Sequence, residues 1–162
     1  MITTVSLGAS AEVWYTHIMT LEALHKEWAT DQELSFDQPD KILRGVPFLH
    51  SKWWNIYTIE RQRFIAVKQE HDTLRRARFE WYLGRLDDAE RIQRGWEHQP
   101  VRIVRQEVET YLSSDALLMP FAGKLETLEI KLKFLEDVIK NINGRGYLVS
   151  TYVNWLKFSQ GS

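Results

Sequence analysis

Arg61, Lys68 and Arg75 stand seven residues apart. On an α-helix that spacing returns to the same side every two turns, so the three cations form a line. Arg76, Arg78 and Arg85 thicken its far end, next to Trp81 and Tyr82. Cations answer phosphates and aromatic rings stack on bases, which together suit a single strand of nucleic acid. The plainer alternative is a solvated basic face with the aromatics in the core. Arg76 and Arg78 diverge by about 200° on a helix, so they cannot both face one flat strand. Arg75, Arg78, Tyr82 and Arg85 share a side better, which leaves one of Arg76 and Arg78 for a subunit contact. Tyr82 is expected at the edge of that surface, four residues after Arg78. Trp81, seven after Leu74, is expected in the core.

No other constellation promises chemistry. His17, His25, His50, His71 and His98 are scattered, and a lone helical histidine is more often packed or solvated than a ligand. Asp87, Asp88 and Glu90 cluster, but a mixed-charge turn explains them. Gly144-Arg145-Gly146 is too short for a phosphate-binding loop. The reading is therefore no enzyme, no catalytic residue, no metal and no cofactor.

The basic line needs a long helix to carry it. Between Leu49 and Arg85 there is no proline, and no glycine before Gly84. Leu49, Trp53, Ile56, Phe64, Val67 and Leu74 recur at helical steps. Gly84 reads as a left-handed C-cap. This gives a basic helix over about 47–84, with Pro47 in its first turn and Gly45–Pro47 interrupting any short helix opened by Pro39. Upstream, Ser10 can cap a helix to about Glu33, with the stripe Trp14, Ile18, Leu21, Leu24 and Trp28. Downstream, Asp87 or Asp88 can cap a short helix ending near Gly95. Val101–Leu112 reads as helix, and Ser113-Ser114-Asp115 as a break.

Leu125, Leu128, Leu132, Leu135, Ile139 and Ile142 follow a heptad seam over about 116–143. The seam is expected to hold copies of the chain together. Asn143–Gly146 is expected to kink or break this helix before a terminal aromatic helix at about 147–159. The fold class is all-α: an elongated bundle of long helices, in one domain over 21–162 behind an N-terminal extension, 1–20.

Composition agrees. The chain has 162 residues, 44% hydrophobic and 27% charged, ordinary for a globular protein. Its net charge of −1 hides a gradient. Residues 1–44 hold three basic and seven acidic side chains, whereas residues 61–105 hold eleven basic and seven acidic. There is no cysteine, hence no disulfide and no thiolate metal site. The start lacks the pattern of a signal peptide, and no stretch approaches the roughly 18 apolar residues of a membrane span. A soluble, cytoplasmic protein is expected.

Leu21-Glu22-x-Leu24, Ser51-Lys52-Trp53 and Arg76-Ala77-Arg78-x-x-Trp81-Tyr82-x-Gly84-Arg85, in that order, resemble the UvsY recombination mediators of T-even-type bacteriophages. The late Arg145 and Phe158 agree, so the likeness covers roughly residues 20–160. It implies an all-helical protein that forms a closed homo-oligomer, a hexamer or heptamer ring. It also implies binding to single-stranded DNA and help for a RecA-like recombinase on strands covered by a single-strand binding protein, inside an infected bacterial host. The basic-Ala-Arg element points to Arg76 and Arg78 as DNA contacts, and the C-terminal helix to assembly. Arg76 stands where the family has lysine, which keeps charge but changes geometry. Residues 1–20 are extra to the pattern. The rival readings are a helical structural or adaptor protein without DNA binding and, more weakly, an enzyme subunit.

Overall fold

The computed structural model describes residues 19–101 and 103–161. Its helices are α1 (Leu21–Asp31), α2 (Pro39–Tyr82), α3 (Asp88–Gln93), α4 (Val108–Ser113) and α5 (Met119–Ser159). At 1.5 Å per residue, α2 runs about 65 Å and α5 about 60 Å. They pack antiparallel along most of their length. Tyr57 meets Glu136, Glu60 meets Lys131, and His71 meets Phe121. The remaining elements cover the two ends of this pair.

At one end α1 lies alongside the pair, with Met19 at Lys131 and Asp31 at Arg145. Leu24, Trp53, Leu135, Val138, Ile139 and Ile142 form a buried cluster there, with Trp28, Leu49, Ile56 and Phe134 packed around it. At the other end Leu83, Ile103, Val108, Leu112 and Leu118 form a second cluster against Leu74, Phe79 and Tyr82. Between them the interface is ionic. Glu60 and Lys131 are both buried, 3.6 Å apart, and Arg63 donates to Glu60 at 2.8 Å.

The end of α2 shows how sequence sets a boundary. Gly84 takes φ of 65°, a conformation that side chains with a Cβ rarely adopt. The Gly84 N–H then bonds the Trp81 carbonyl and the Arg85 N–H the Glu80 carbonyl, at 2.9 Å each. This is the Schellman pattern, which satisfies carbonyls the helix leaves free. Asp87 opens α3 by accepting from the N–H groups of Ala89 and Glu90.

Three expectations change. Helix α2 starts at Pro39 and runs through Gly45 and Pro47 without interruption. Ile42 is buried and Val46 and Leu49 pack on the first cluster, so packing on both sides of Pro47 offsets its missing bond. Helix α5 runs unbroken through Gly144 and Gly146, because Ile142, Arg145 and Val149 are all buried on one face. Tertiary contact there outweighs roughly 1 kcal/mol of glycine cost per position. Residues 103–107 are irregular, and only Val108–Ser113 is helical in the stretch read as one helix. Helix α1 begins at Leu21 with Thr20 as its N-cap. Ser10, Trp14 and Ile18 of the expected longer helix lie outside the described residues.

Candidate nucleic-acid interface and its supports

The cations of α2 fall into two groups. Arg61, Lys68, Arg75, Arg76 and Arg85 are exposed. Among the described residues Arg61, Lys68 and Arg76 make no ion pair, while Arg75 pairs with Glu109 and Arg85 with Glu80 at 3.1 Å. Arg61 lies over the Phe64 ring, 5.4 Å from its centre. From Arg61 to Arg76 the row spans about 22 Å along the helix. Its seven-residue steps of about 10.5 Å match about three nucleotides at 3.4 Å each.

Arg78 and Tyr82 face inward instead. The Arg78 side chain is 12% exposed, and its Nε donates to Asp115 Oδ2 at 2.6 Å. The Tyr82 hydroxyl donates to the same oxygen at 2.9 Å. The other oxygen of Asp115 accepts the Leu117 N–H at 2.8 Å. The Arg78 guanidinium also lies 4.0 Å from the Trp81 ring centre and 4.9 Å from those of Tyr82 and Trp96. Trp81 is half-buried and donates to the Glu97 carbonyl at 2.9 Å. Arg76 and Arg78 therefore serve opposite sides of α2, one facing solvent and the other tying α2 to the turn before α5.

This node is charge-balanced. Burial pushes the Asp115 carboxyl up, but hydrogen bonds from Arg78, the Leu117 N–H and Tyr82 outweigh it and hold its pKa below the usual value. Burial raises the Tyr82 pKa, and its bond to Asp115 adds to the shift. Local sequence marks neither Asp115 nor Trp96 as a site residue. Asp115 read only as part of a break, because its partner lies 37 residues away.

The Ser51-Lys52-Trp53 element locks α1 to α2. Lys52 pairs with Glu27 and with Asp31, at 2.7 Å for the latter, and Trp53 Nε1 donates to Asp31 at 2.9 Å. Burial pulls the Lys52 pKa down, yet the two carboxylates outweigh it and raise it. Arg145 completes the lock. It is buried, donates to the Asp31 main-chain carbonyl at 2.5 Å, and lies over Trp28. It thereby satisfies a carbonyl at the C-terminal end of α1. Burial lowers its pKa, and Asp31 partly counters that.

The heptad seam packs within one chain over most of its length. Leu132, Leu135, Ile139 and Ile142 are buried, and Leu135, Ile139 and Ile142 belong to the first core cluster. Leu125 and Leu128 are half-buried. The apolar surface left open on α5 lies elsewhere: Ile130, Tyr147, Leu148, Trp155 and Phe158, the last 85% exposed.

The family model described as "Recombination, repair and ssDNA binding protein UvsY" matches residues 27–162. The chain belongs to the UvsY family. Within that family it is 24% identical over 143 residues to the recombination protein UvsY of Enterobacteria phage T4, covering 88% of this chain and 99% of that one. Crystal structures of the bacteriophage T4 recombination mediator protein UvsY share the fold. One superposes with a TM-score of 0.74 at 23% identity, covering 86% of this chain and 99% of the other. A second gives 0.75 at 22% identity, covering 88% and 98%. The all-helical fold of long helices thus agrees with solved UvsY structures.

Against the UvsY pattern, the Ser-Lys-Trp element and Arg145 here are fold-defining contacts. In the basic-Ala-Arg element, only the first arginine faces solvent. Among the described residues no cluster of three or more His, Asp or Glu is arranged to hold a metal. No described helix is long and apolar enough to cross a membrane.

Proposed function

We propose that this UvsY-family chain binds single-stranded DNA along the exposed row Arg61, Lys68, Arg75, Arg76 and Arg85, and acts as a recombination mediator. The observation that carries the reading is the pairing pattern. Most other cations near the core are matched to carboxylates or carbonyls, whereas Arg61, Lys68 and Arg76 stand exposed without an ion-pair partner among the described residues. Unpaired cations in a row attract a phosphate backbone without sequence preference. Arg78 and Tyr82 serve as positioning residues: they fix the end of α2 against Asp115 and so orient Arg75, Arg76 and Arg85.

Assembly follows from the same molecule. The open apolar residues at the C-terminal end of α5 seat neighbouring copies, with Leu125 and Leu128 as a second open stretch. A hexameric or heptameric ring repeats a weak basic row several times, and linked weak sites gain avidity without any new contact. Held strands are then presented to a RecA-like recombinase in place of the single-strand binding protein. No step is catalytic, and the work is done inside the infected host cell.

The test is recombinase loading. A RecA-like recombinase is added to single strands precoated with single-strand binding protein, and the lag before strand-dependent ATP hydrolysis is timed. The parent protein should shorten the lag, and a variant with Arg61, Lys68 and Arg76 all replaced by Ala should not. An equally short lag with that variant would remove DNA binding by the row from the mechanism.

A further inference from the structure

The line of the basic row continues past Arg61. One seven-residue step earlier, about 10.5 Å along α2, it carries Trp54. His50 and Tyr57 flank that ring, and all three lie within about 40° of Arg61 around the helix axis. The His50 and Trp54 rings are nearly parallel, 9° apart in plane and 6.0 Å between centres. Trp54 and Tyr57 are 5.5 Å apart and tilted by 32°. The Tyr57 hydroxyl donates to Glu136 of α5 at 3.1 Å, which anchors this end of the ladder.

Trp54 is nevertheless 52% exposed, and its indole N–H meets no acceptor among the described residues. It lines an open pocket of about 480 Å³ with Phe48, itself 75% exposed, and with Ser51, Lys52, Asn55 and Thr58. No carboxylate lines this pocket, so nothing in its wall repels a phosphate backbone. The Ser51 hydroxyl and the Asn55 amide make no hydrogen bond among the described residues. Each can both donate and accept, so each can meet the edge of any base.

Cations alone do not select a single strand. A duplex carries one charge per about 1.7 Å, against one per about 3.4 Å for a single strand, so charge by itself favours the duplex. Unpaired bases are what a single strand offers and a duplex hides, and an aromatic face stacks on any of them. Resting on the reading of the row as a DNA track, we propose that Trp54 is a base-stacking platform at the start of that track. His50 and Tyr57 steady the ring, and Ser51 and Asn55 face the edge of the base it holds. Phosphates on Lys68 and Arg61 set the strand in register, and about three nucleotides further on a base reaches Trp54. Trp54 is thereby the residue that favours single strands over duplex.

The test uses the full-length protein and three ligands of equal length: a single strand, an abasic strand and a duplex. The parent should bind the base-bearing strand about tenfold tighter than the abasic one. Trp54→Ala should lose that tenfold and bind the abasic strand and the duplex as the parent does. Trp54→Tyr, which keeps a ring, should restore most of the loss. The salt slope of Trp54→Ala should match the parent's, because no phosphate contact is removed. Equal affinity of the parent for the two single strands would overturn the platform and leave the row standing, as would a preference that survives Trp54→Ala. A smaller assembled mass for Trp54→Ala in light scattering would also overturn it, by making the patch a contact between copies. A parent that binds none of the three ligands would remove the row itself, and the platform with it.

Discussion

Asp115 accepts three donors with two oxygens, from Arg78, Tyr82 and the Leu117 N–H. Removing one partner of a buried pair leaves the other charge uncompensated, so Arg78→Ala should cost about 3–5 kcal/mol in a urea melt. Arg76→Ala, two residues earlier, should leave the melt within about 0.5 kcal/mol, because its side chain is exposed and makes no ion pair among the described residues. The pH dependence follows from the same oxygens. The folded Asp115 pKa lies below its unfolded value, so its contribution is present above the unfolded carboxylate range, near 3.9, and fades as pH falls through the lowered folded value. Stability measured down that range should fall more steeply in the parent than in Asp115→Asn. Equal slopes would mean that the node does not hold Asp115 ionised. None of this was legible locally. Seven- and four-residue steps placed Arg78 and Tyr82 beside the basic row, but the choice of face was made by an aspartate 37 positions away.

At the scale of elements, the long helices were visible and their ends only partly so. The stripe Leu49, Trp53, Ile56, Phe64, Val67 and Leu74 and the cap at Gly84 correspond to the inner face and the end of α2. Gly45–Pro47 and Asn143–Gly146 read as breaks because intrinsic propensity is all that a local window shows. Burial of Ile42, Ile142, Arg145 and Val149 overrides it. A Cβ added at Gly146 meets nothing within 4 Å. Gly146→Ala should therefore stabilise the chain by roughly 0.5–1 kcal/mol, read as a raised melting midpoint. If it melts higher but loses assembly, Gly146 lies where a neighbouring helix approaches. The Ser-Lys-Trp lock is tested by Trp53→Ala, which empties the most buried large side chain and should cost about 3–5 kcal/mol.

For the whole molecule, a heptad pattern tells that a face is buried but not by whom. Leu132, Leu135, Ile139 and Ile142 are buried, and α2 and α1 of the same chain cover the last three. Assembly is therefore expected to respond at the open end of α5. Trp155→Asp with Phe158→Asp should reduce the mass seen by light scattering while the helical signal is retained. Leu135→Asp should unfold the subunit itself. The basic row is the central claim, and its salt dependence tests it most directly. Each phosphate contact on a single strand adds about −0.7 to the slope of log affinity against log salt. Affinity for an unstructured oligonucleotide should be measured across a salt series, for the parent and for the variant with Arg61, Lys68 and Arg76 replaced by Ala. The slope should become shallower by about 2 with folding and assembly unchanged. An unchanged slope in a folded, assembled variant would contradict the account and move the DNA to another face.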